Sequence, residues 1–448
     1  MALRLSAQLE KLITKCDISK NTIIKETGTD RSTFYQILSD KRIPTEFVFS
    51  SLMHFFIDFR QAHPDQISQS DLDHLLRSYL NETMTTKEMN DWKASASFIK
   101  KANASIESDE SPLIPDTDHP SDQKVSDFLN RQLKVQDGRL DFYLSTELIN
   151  RFHMHAYLRQ SIPFKAHVNQ LCGIYENGHQ KISERILNAM ADCIGFLSLQ
   201  PENYYNVYCF RDSTVGKQNL LYPYYMIGKT EVMFISADGN RVIHVDESDT
   251  IEELHQYVND IISRSTPLFP HVENYLELAQ NLMKSYRTGA SSVIYSVAER
   301  PCFWEIVTPD IISKYAPDQN IERFGLEYAS VLKSLPNFYG LNSFEGLTAF
   351  DQDRYVSEAG LNLKLDQTDM DQLHVNFQNT LWKHIILLPF SNTFIHNWEI
   401  AIYYPDTVYL SMYDNSRSVL CLKDHNLIDP LFTYYDSMFH VLYRHEKK

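Results

Sequence analysis

Ser19-Lys-Asn-Thr-Ile-Ile-Lys-Glu-Thr-Gly-Thr-Asp-Arg-Ser-Thr-Phe-Tyr-Gln-Ile-Leu-Ser-Asp-Lys-Arg-Ile-Pro-Thr-Glu-Phe47 reads as two short helices joined by a turn. Ser19 is placed to cap the first helix, because its hydroxyl can accept a free backbone N–H of the opening turn. Ile23 and Ile24 give that helix an apolar side. Gly28 stands where it must stop, and glycine tolerates the left-handed backbone a tight C-terminus needs. Asp30 caps the next helix, Arg31 to about Ser39. Phe34, Ile37 and Leu38 recur at i, i+3 and i+4 and form one apolar stripe. Arg31, Ser32, Tyr35, Gln36 and Ser39 are left outward.

This is the pattern of a helix-turn-helix. An α-helix fits the major groove of DNA, where Arg reads guanine, Gln reads adenine and Ser pairs with several bases. Lys41 and Arg42 follow in the loop, placed to meet phosphate. Pro44 is expected to open a fourth helix. Phe47, Val48, Leu52, Phe55, Phe56 and Phe59 supply its core face, and Leu5, Leu9, Leu12 and Ile13 that of the first helix.

Five short helices expected within about 60 residues, with this turn between the second and third, resemble the Cro/lambda-repressor (XRE-type) helix-turn-helix family. The resemblance covers roughly residues 4–60. It rests on Ser19 before helix two, Gly28 in the turn, Arg31-Ser32-Thr33-Phe34 opening helix three, and Asp40-Lys41-Arg42-Ile43-Pro44 after it. It implies that Arg31, Ser32, Tyr35 and Gln36 face bases, with Thr33 beside them. It also implies that Lys20, Asn21, Lys41 and Arg42 face the DNA backbone. Two positions depart from the family pattern: Ile24 replaces a small alanine, and Lys41 stands where glycine is common.

Charge fits a separate reader. Residues 1–60 carry nine Lys/Arg and seven Asp/Glu, about +2, so the remainder holds about −18 of the net −16. A weakly basic head on an acidic body argues against whole-surface binding to nucleic acid or anionic membrane. It also implies two heads on one site, hence a homodimer on double-stranded DNA. The six cysteines show no paired spacing, which suits a reducing cytoplasm. No apolar run approaches the roughly 18 residues a membrane span needs.

The expected organisation is multidomain: an all-α head, a helical middle and a C-terminal α/β body. Residues 1–62 form the DNA-binding domain and 63–101 accessory helices, with Leu72, Leu75, Leu76 and Tyr79 at helical spacing. Residues 102–124, rich in Ser, Asp and Pro, read as a flexible linker that lets the head move. Residues 125–203 read as a helical middle region, in which 165–195 could hold a second, degenerate helix-turn-helix, although an ordinary connector is favoured. A first α/β unit spans 204–270 and a second spans 271–448.

In the first unit, Asp238-Gly239 turns a hairpin, and a helix with Ile251, Leu254, Tyr257, Val258 and Ile261 on one side follows. The same events recur after Thr407, which points to internal duplication. Duplicated α/β bodies on such heads are in some cases similar to a phospholipase D-like fold. That chemistry needs an aspartate after four intervening residues beyond His179-Gln180-Lys181, where Ile186 stands instead.

No phosphate-cradling glycine loop, nucleophile elbow, Cys-x-x-Cys or His-Glu-x-x-His occurs. No catalysis, metal or cofactor is therefore expected. His153 and His155 read as surface histidines. The tyrosines between Tyr204 and Tyr225 could line an effector pocket or pack a core. The alternatives to a DNA-binding regulator are a helix-turn-helix used as a protein-docking surface and an enzyme with an unrecognised C-terminal site.

Overall fold

Capping and apolar spacing set the first helices of the computed structural model. It describes residues 4–107, 120–135, 139–145, 165–174, 182–199, 204–211, 221–265, 267, 271–272, 283, 293–358, 361–380, 384–412 and 419–443. The head opens with α1 (Leu5–Lys15), α2 (Lys20–Thr27), α3 (Arg31–Leu38) and α4 (Glu46–Ala62). Then come α5 (Gln69–Thr83) and α6 (Thr86–Glu107). Four helices, not five, therefore lie within the first 62 residues.

Pro44 is buried ahead of α4, and Thr45 is the residue that caps it, accepting from the Val48 N–H. Phe47 does not join the core face: it is 49% exposed, while Phe49, Leu52, Met53, Phe56 and Ile57 are buried. Phe47 stands two residues before the buried Phe49, about 200° around the helix from it, and so faces away from the core.

The expected linker at 102–124 is shorter than its composition suggests. α6 runs through its first six residues to Glu107, and α7 (Pro120–Val135) occupies its last five; 108–119 lies outside the described residues. Ala102 is fully buried. Asn103 donates to the Phe394 carbonyl at 2.7 Å and accepts from the His396 N–H at 2.9 Å.

The region 125–203 is not helical throughout. It contributes β1 (Arg139–Ser145), β2 (Lys165–Ile174) and α8 (Ile182–Leu199). Strand β2 occupies the start of the segment considered for a second helix-turn-helix, which removes that reading. With β3 (Tyr204–Arg211), β4 (Tyr224–Ile227), β5 (Val232–Ile235) and β6 (Val242–Val245) these strands form a six-stranded sheet. Its order is β3-β2-β1-β4-β5-β6. The first sheet therefore begins at 139, well before the expected boundary at 204. β1, β2 and β3 are parallel; β4, β5 and β6 are antiparallel. The helix α9 (Ser248–Ser263) follows, with Ile251 and Val258 buried; Tyr257, expected on that face, is 59% exposed.

A second sheet follows. β7 (His271–Val272) lies at its edge, and β8 (Val293–Val297) leads through α10 (Phe303–Ile306), α11 (Pro309–Tyr315) and α12 (Gln319–Ser334) to β9 (Phe338–Ser343). Next come α13 (Phe344–Asp353), the ribbon β10 (Tyr355–Glu358) and β11 (Leu361–Lys364), α14 (Gln367–Thr380) and β12 (Ile385–Leu388). β13 (Trp398–Tyr404), β14 (Thr407–Met412), β15 (Val419–Leu422) and α15 (His425–Leu442) end the described chain. The order is β12-β9-β8-β13-β14-β15-β7. β8, β9 and β12 are parallel, and β13 to β15 antiparallel.

The layout is thus a helical N-terminal region joined to sheet-containing units. α6 packs on α8 and α15, and α4 packs on α15. One buried apolar cluster runs from Leu5 in α1 to Leu442 in α15. The head is seated on the body: Ser50 Oγ donates to the Tyr443 carbonyl at 3.2 Å, and His54 Nε2 lies 2.7 Å from the Leu442 carbonyl. Among the described residues, no helix is long and apolar enough to cross a membrane.

Candidate nucleic-acid interface

Local chemistry fixes α2 and α3 at both ends. Ser19 Oγ accepts the Thr22 N–H at 3.1 Å. Gly28 closes α2 at φ 65°, a conformation that costs glycine nothing and other residues about 1–2 kcal/mol. Thr27 and Thr29, both buried, share a hydroxyl bond of 2.8 Å behind the turn. Asp30 caps α3 by accepting the Thr33 N–H at 2.9 Å. At the far end Asp40 takes the left-handed position, φ 59°. There the Lys41 N–H reaches the Gln36 carbonyl at 2.9 Å and the Asp40 N–H reaches the Ile37 carbonyl at 3.1 Å. That paired bonding is a Schellman stop. Asp40 does the work usually given to glycine there, tied by Arg4 and Ser6. The glycine missing at Lys41 is therefore not needed.

Phe34 and Ile37 anchor α3, at 0% and 1% exposure. Full burial of side chains this size stabilises by about 1.5–3 kcal/mol each. That anchoring leaves the other face outward. Arg31, Ser32, Tyr35 and Gln36 are all exposed. The Arg31 guanidinium lies 5.9 Å from the Tyr35 ring centre, so the two form one cation–π pair. Every hydrogen bond, ion pair and ring contact described for residues 31–42 stays within residues 4–42. Eight residues make a rod about 12 Å long, comparable to the width of the major groove.

The flanking residues are less uniform. Lys41 and Arg42 are exposed, but Arg42 donates to Thr33 Oγ1 at 3.4 Å. Thr33 is half-buried and serves as a rest for Arg42. Asn21 is exposed. The Lys20 ammonium pairs with Glu10 at 2.6 Å. An exposed pair of this kind is worth about 0–1 kcal/mol, so Lys20 can leave it for a phosphate.

Sequence reasoning missed an apolar flank. Tyr35, Ile43 and Phe47 are 41%, 47% and 49% exposed beside the polar face. No local signal marks it: Phe47 lies within the first turn of α4, and its exposure depends on how that helix packs.

His153 and His155 lie outside the described residues. Among the described residues no group of three or more His, Cys, Asp or Glu could hold a metal ion. Tyr224 and Tyr225 are half-buried, and Tyr225 and Tyr208 pack in the small core beneath α9. Cys16, Cys193, Cys302 and Cys421 are free thiols. The chain matches no family model, no curated protein and no solved structure.

Proposed function

We propose that the chain is a sequence-specific DNA-binding transcriptional regulator of XRE type. It works as a homodimer on double-stranded DNA in the cytoplasm. In this reading α3 enters the major groove, Arg31, Ser32, Tyr35 and Gln36 meet base edges, and Lys20, Asn21, Lys41 and Arg42 hold the phosphates. Thr33 steadies Arg42. One observation carries the reading: α3 is capped at both ends and buried by Phe34 and Ile37, yet among the described residues its polar face has no partner outside the head.

The body serves regulation and dimerisation, and no catalysis is assigned to it. Its two sheets share the order third-second-first-fourth-fifth-sixth with the same strand directions, apart from the added edge strand β7. That correspondence supports an origin by internal duplication, with β1 matching β8 and α9 matching α15.

The test is selection of duplexes from a random library by the full chain, followed by gel shifts at two salt concentrations. Specific binding should fall at least about tenfold in Arg31→Ala with Gln36→Ala, since each base-reading pair contributes about 1–3 kcal/mol. Lys41→Ala should weaken all duplexes alike and flatten the salt dependence. Selection of no sequence, or binding indifferent to the double change, removes the reading. The exposed Tyr35, Ile43 and Phe47 favour a second reading, a protein-docking head, which that negative result would promote.

A further inference from the structure

Between head and body lies a cavity of about 540 Å³, walled by α4, α5 and α6 on one side and by α15 and the end of β13 on the other. The volume falls within the range of small-molecule sites. Its lining is mixed in a specific way. Tyr404 and Phe432 form an aromatic wall, stacked with ring centres 3.7 Å apart and planes 16° from parallel. Leu80 and Val441 add an apolar floor.

Five carboxylates face the same space: Glu46, Glu88, Asp91, Asp429 and Asp436. Asp91 among them is only 8% exposed. The opposing charges are Lys87 and, when protonated, His440. Buried within this acidic surround and beside Glu46, the Tyr79 hydroxyl is pushed up to about 12. Aromatic faces and carboxylates attract the same kind of group, a cation with an apolar body. Carboxylates outnumber the Lys87 and His440 cations, so the balance of charge disfavours an anionic ligand.

We propose that this cleft binds an organic cation, an ammonium group carried on an apolar or aromatic body, and so bridges head and body. The ammonium sits among Asp91, Asp429 and Asp436, and its body lies against Phe432. Because the walls come from both regions, the bound ligand stabilises the seated arrangement of the head over any in which α4 and α5 part from α15. Capture of the ligand is independent of what the head reads; a change in operator affinity on capture rests on the DNA-binding reading.

The test is calorimetric titration of the full chain without DNA, in physiological salt. The probes are phenethylamine and spermidine, with neutral 2-phenylethanol as control. At least one cation should bind one-to-one with a Kd below about 1 mM, and the neutral control should give no saturable heat. Asp429→Asn and Asp436→Asn should each weaken binding about two- to fivefold, the loss of one half-buried charge partner. Thr433→Trp, which fills the cleft, should abolish it while circular dichroism stays native. Absence of saturable binding by both cations overturns the proposal. So does binding that persists in Thr433→Trp or ignores both aspartate changes, because general attraction to an acidic protein explains it. A chain that selects no duplex but still captures the cation separates this result from failure of the DNA-binding reading.

Discussion

β1 to β6 in one sheet and β8, β9 and β12 to β15 in the other stand in matching order and direction, yet the helices that close them have opposite surroundings. α9 buries Ile251 and Val258 and leaves Tyr257 in solvent. α15 buries ten residues over a broad face, among them Leu427, Leu431, Tyr435 and Leu442. The cause is what lies outside each helix. α15 is roofed by α4, α6 and α8, whereas α9 packs on its own sheet through α9–β4 contact. One supersecondary plan therefore yields a closing helix with a narrow buried stripe where its outer face meets water, and one with a broad buried face beside a polar one where a head is seated.

The largest effect should come from cutting into α15. Leu431→Ala removes a fully buried side chain and should cost about 2–5 kcal/mol. Tyr257→Ala on α9 should stay within about 0.5 kcal/mol. Urea unfolding of the two variants measures both, and equal costs would dissolve the contrast between the closing helices. A smaller effect is expected in the first unit's hairpin. Gly239 holds φ 76° between β5 and β6, so Gly239→Ala should cost about 1–2 kcal/mol. An unchanged urea midpoint would mean that the turn is not fixed by its backbone.

What was legible in the sequence was local. Ser19, Gly28 and Asp30 announce helix ends through bonds that span three residues or fewer, and Phe34 and Ile37 set the buried side of α3. The Asp238-Gly239 hairpin was legible for the same reason. What failed depended on distant partners. β2 is central and buried on a parallel sheet, and its Asn169 and Gln170 obscure any alternation. Asn206 reaches across to Asn169 at 3.3 Å, so part of that polarity is satisfied only by the neighbouring strand. Ala102 and Asn103 read as linker because small and polar residues look like loop. In the fold the alanine lies in the core, and the asparagine spans to residues nearly 300 positions away. Of the candidate interface, the exposed base-facing set was readable. The Lys20–Glu10 pair and the exposure of Phe47 were not, since each depends on how helices assemble.

Acid should probe the first unit. Glu231, just before β5, is buried, which raises its carboxyl. Bonds from Arg131, His244 and Gln132 outweigh that burial and hold it below the usual glutamate value. A depressed folded value means stability that is present above the ordinary glutamate range and lost as pH falls through the folded value. Hydrogen exchange of the β4 and β5 amides should therefore accelerate on acidification, and Glu231→Gln should remove that dependence. Exchange insensitive to pH in the native chain would show that the cluster does not hold the sheet.

Alkali should probe the junction of head and second unit, with the smallest effect. His440 on α15 lies 3.5 Å from Asp436 and 3.4 Å from Glu46 on α4. The hydrogen bond to Asp436 raises it above the ordinary histidine value; burial opposes the shift, and Glu46 adds to it. A raised folded value means the contribution is full below the ordinary histidine range and lost as pH rises through the folded value. Its side chain is half exposed, so solvent screens the pair, and an exposed ion pair of this kind contributes about 0.2–1 kcal/mol. The seating of α4 should loosen as pH rises above the ordinary histidine range and through the raised folded value. Exchange at the α4 amides around Ser50 and His54 reports it. His440→Gln should give the alkaline behaviour at every pH. Because the first unit has no head to hold, its α9 amides should be indifferent over the same range; parallel changes in α4 and α9 would place the titration somewhere other than the clasp between Glu46 and Asp436.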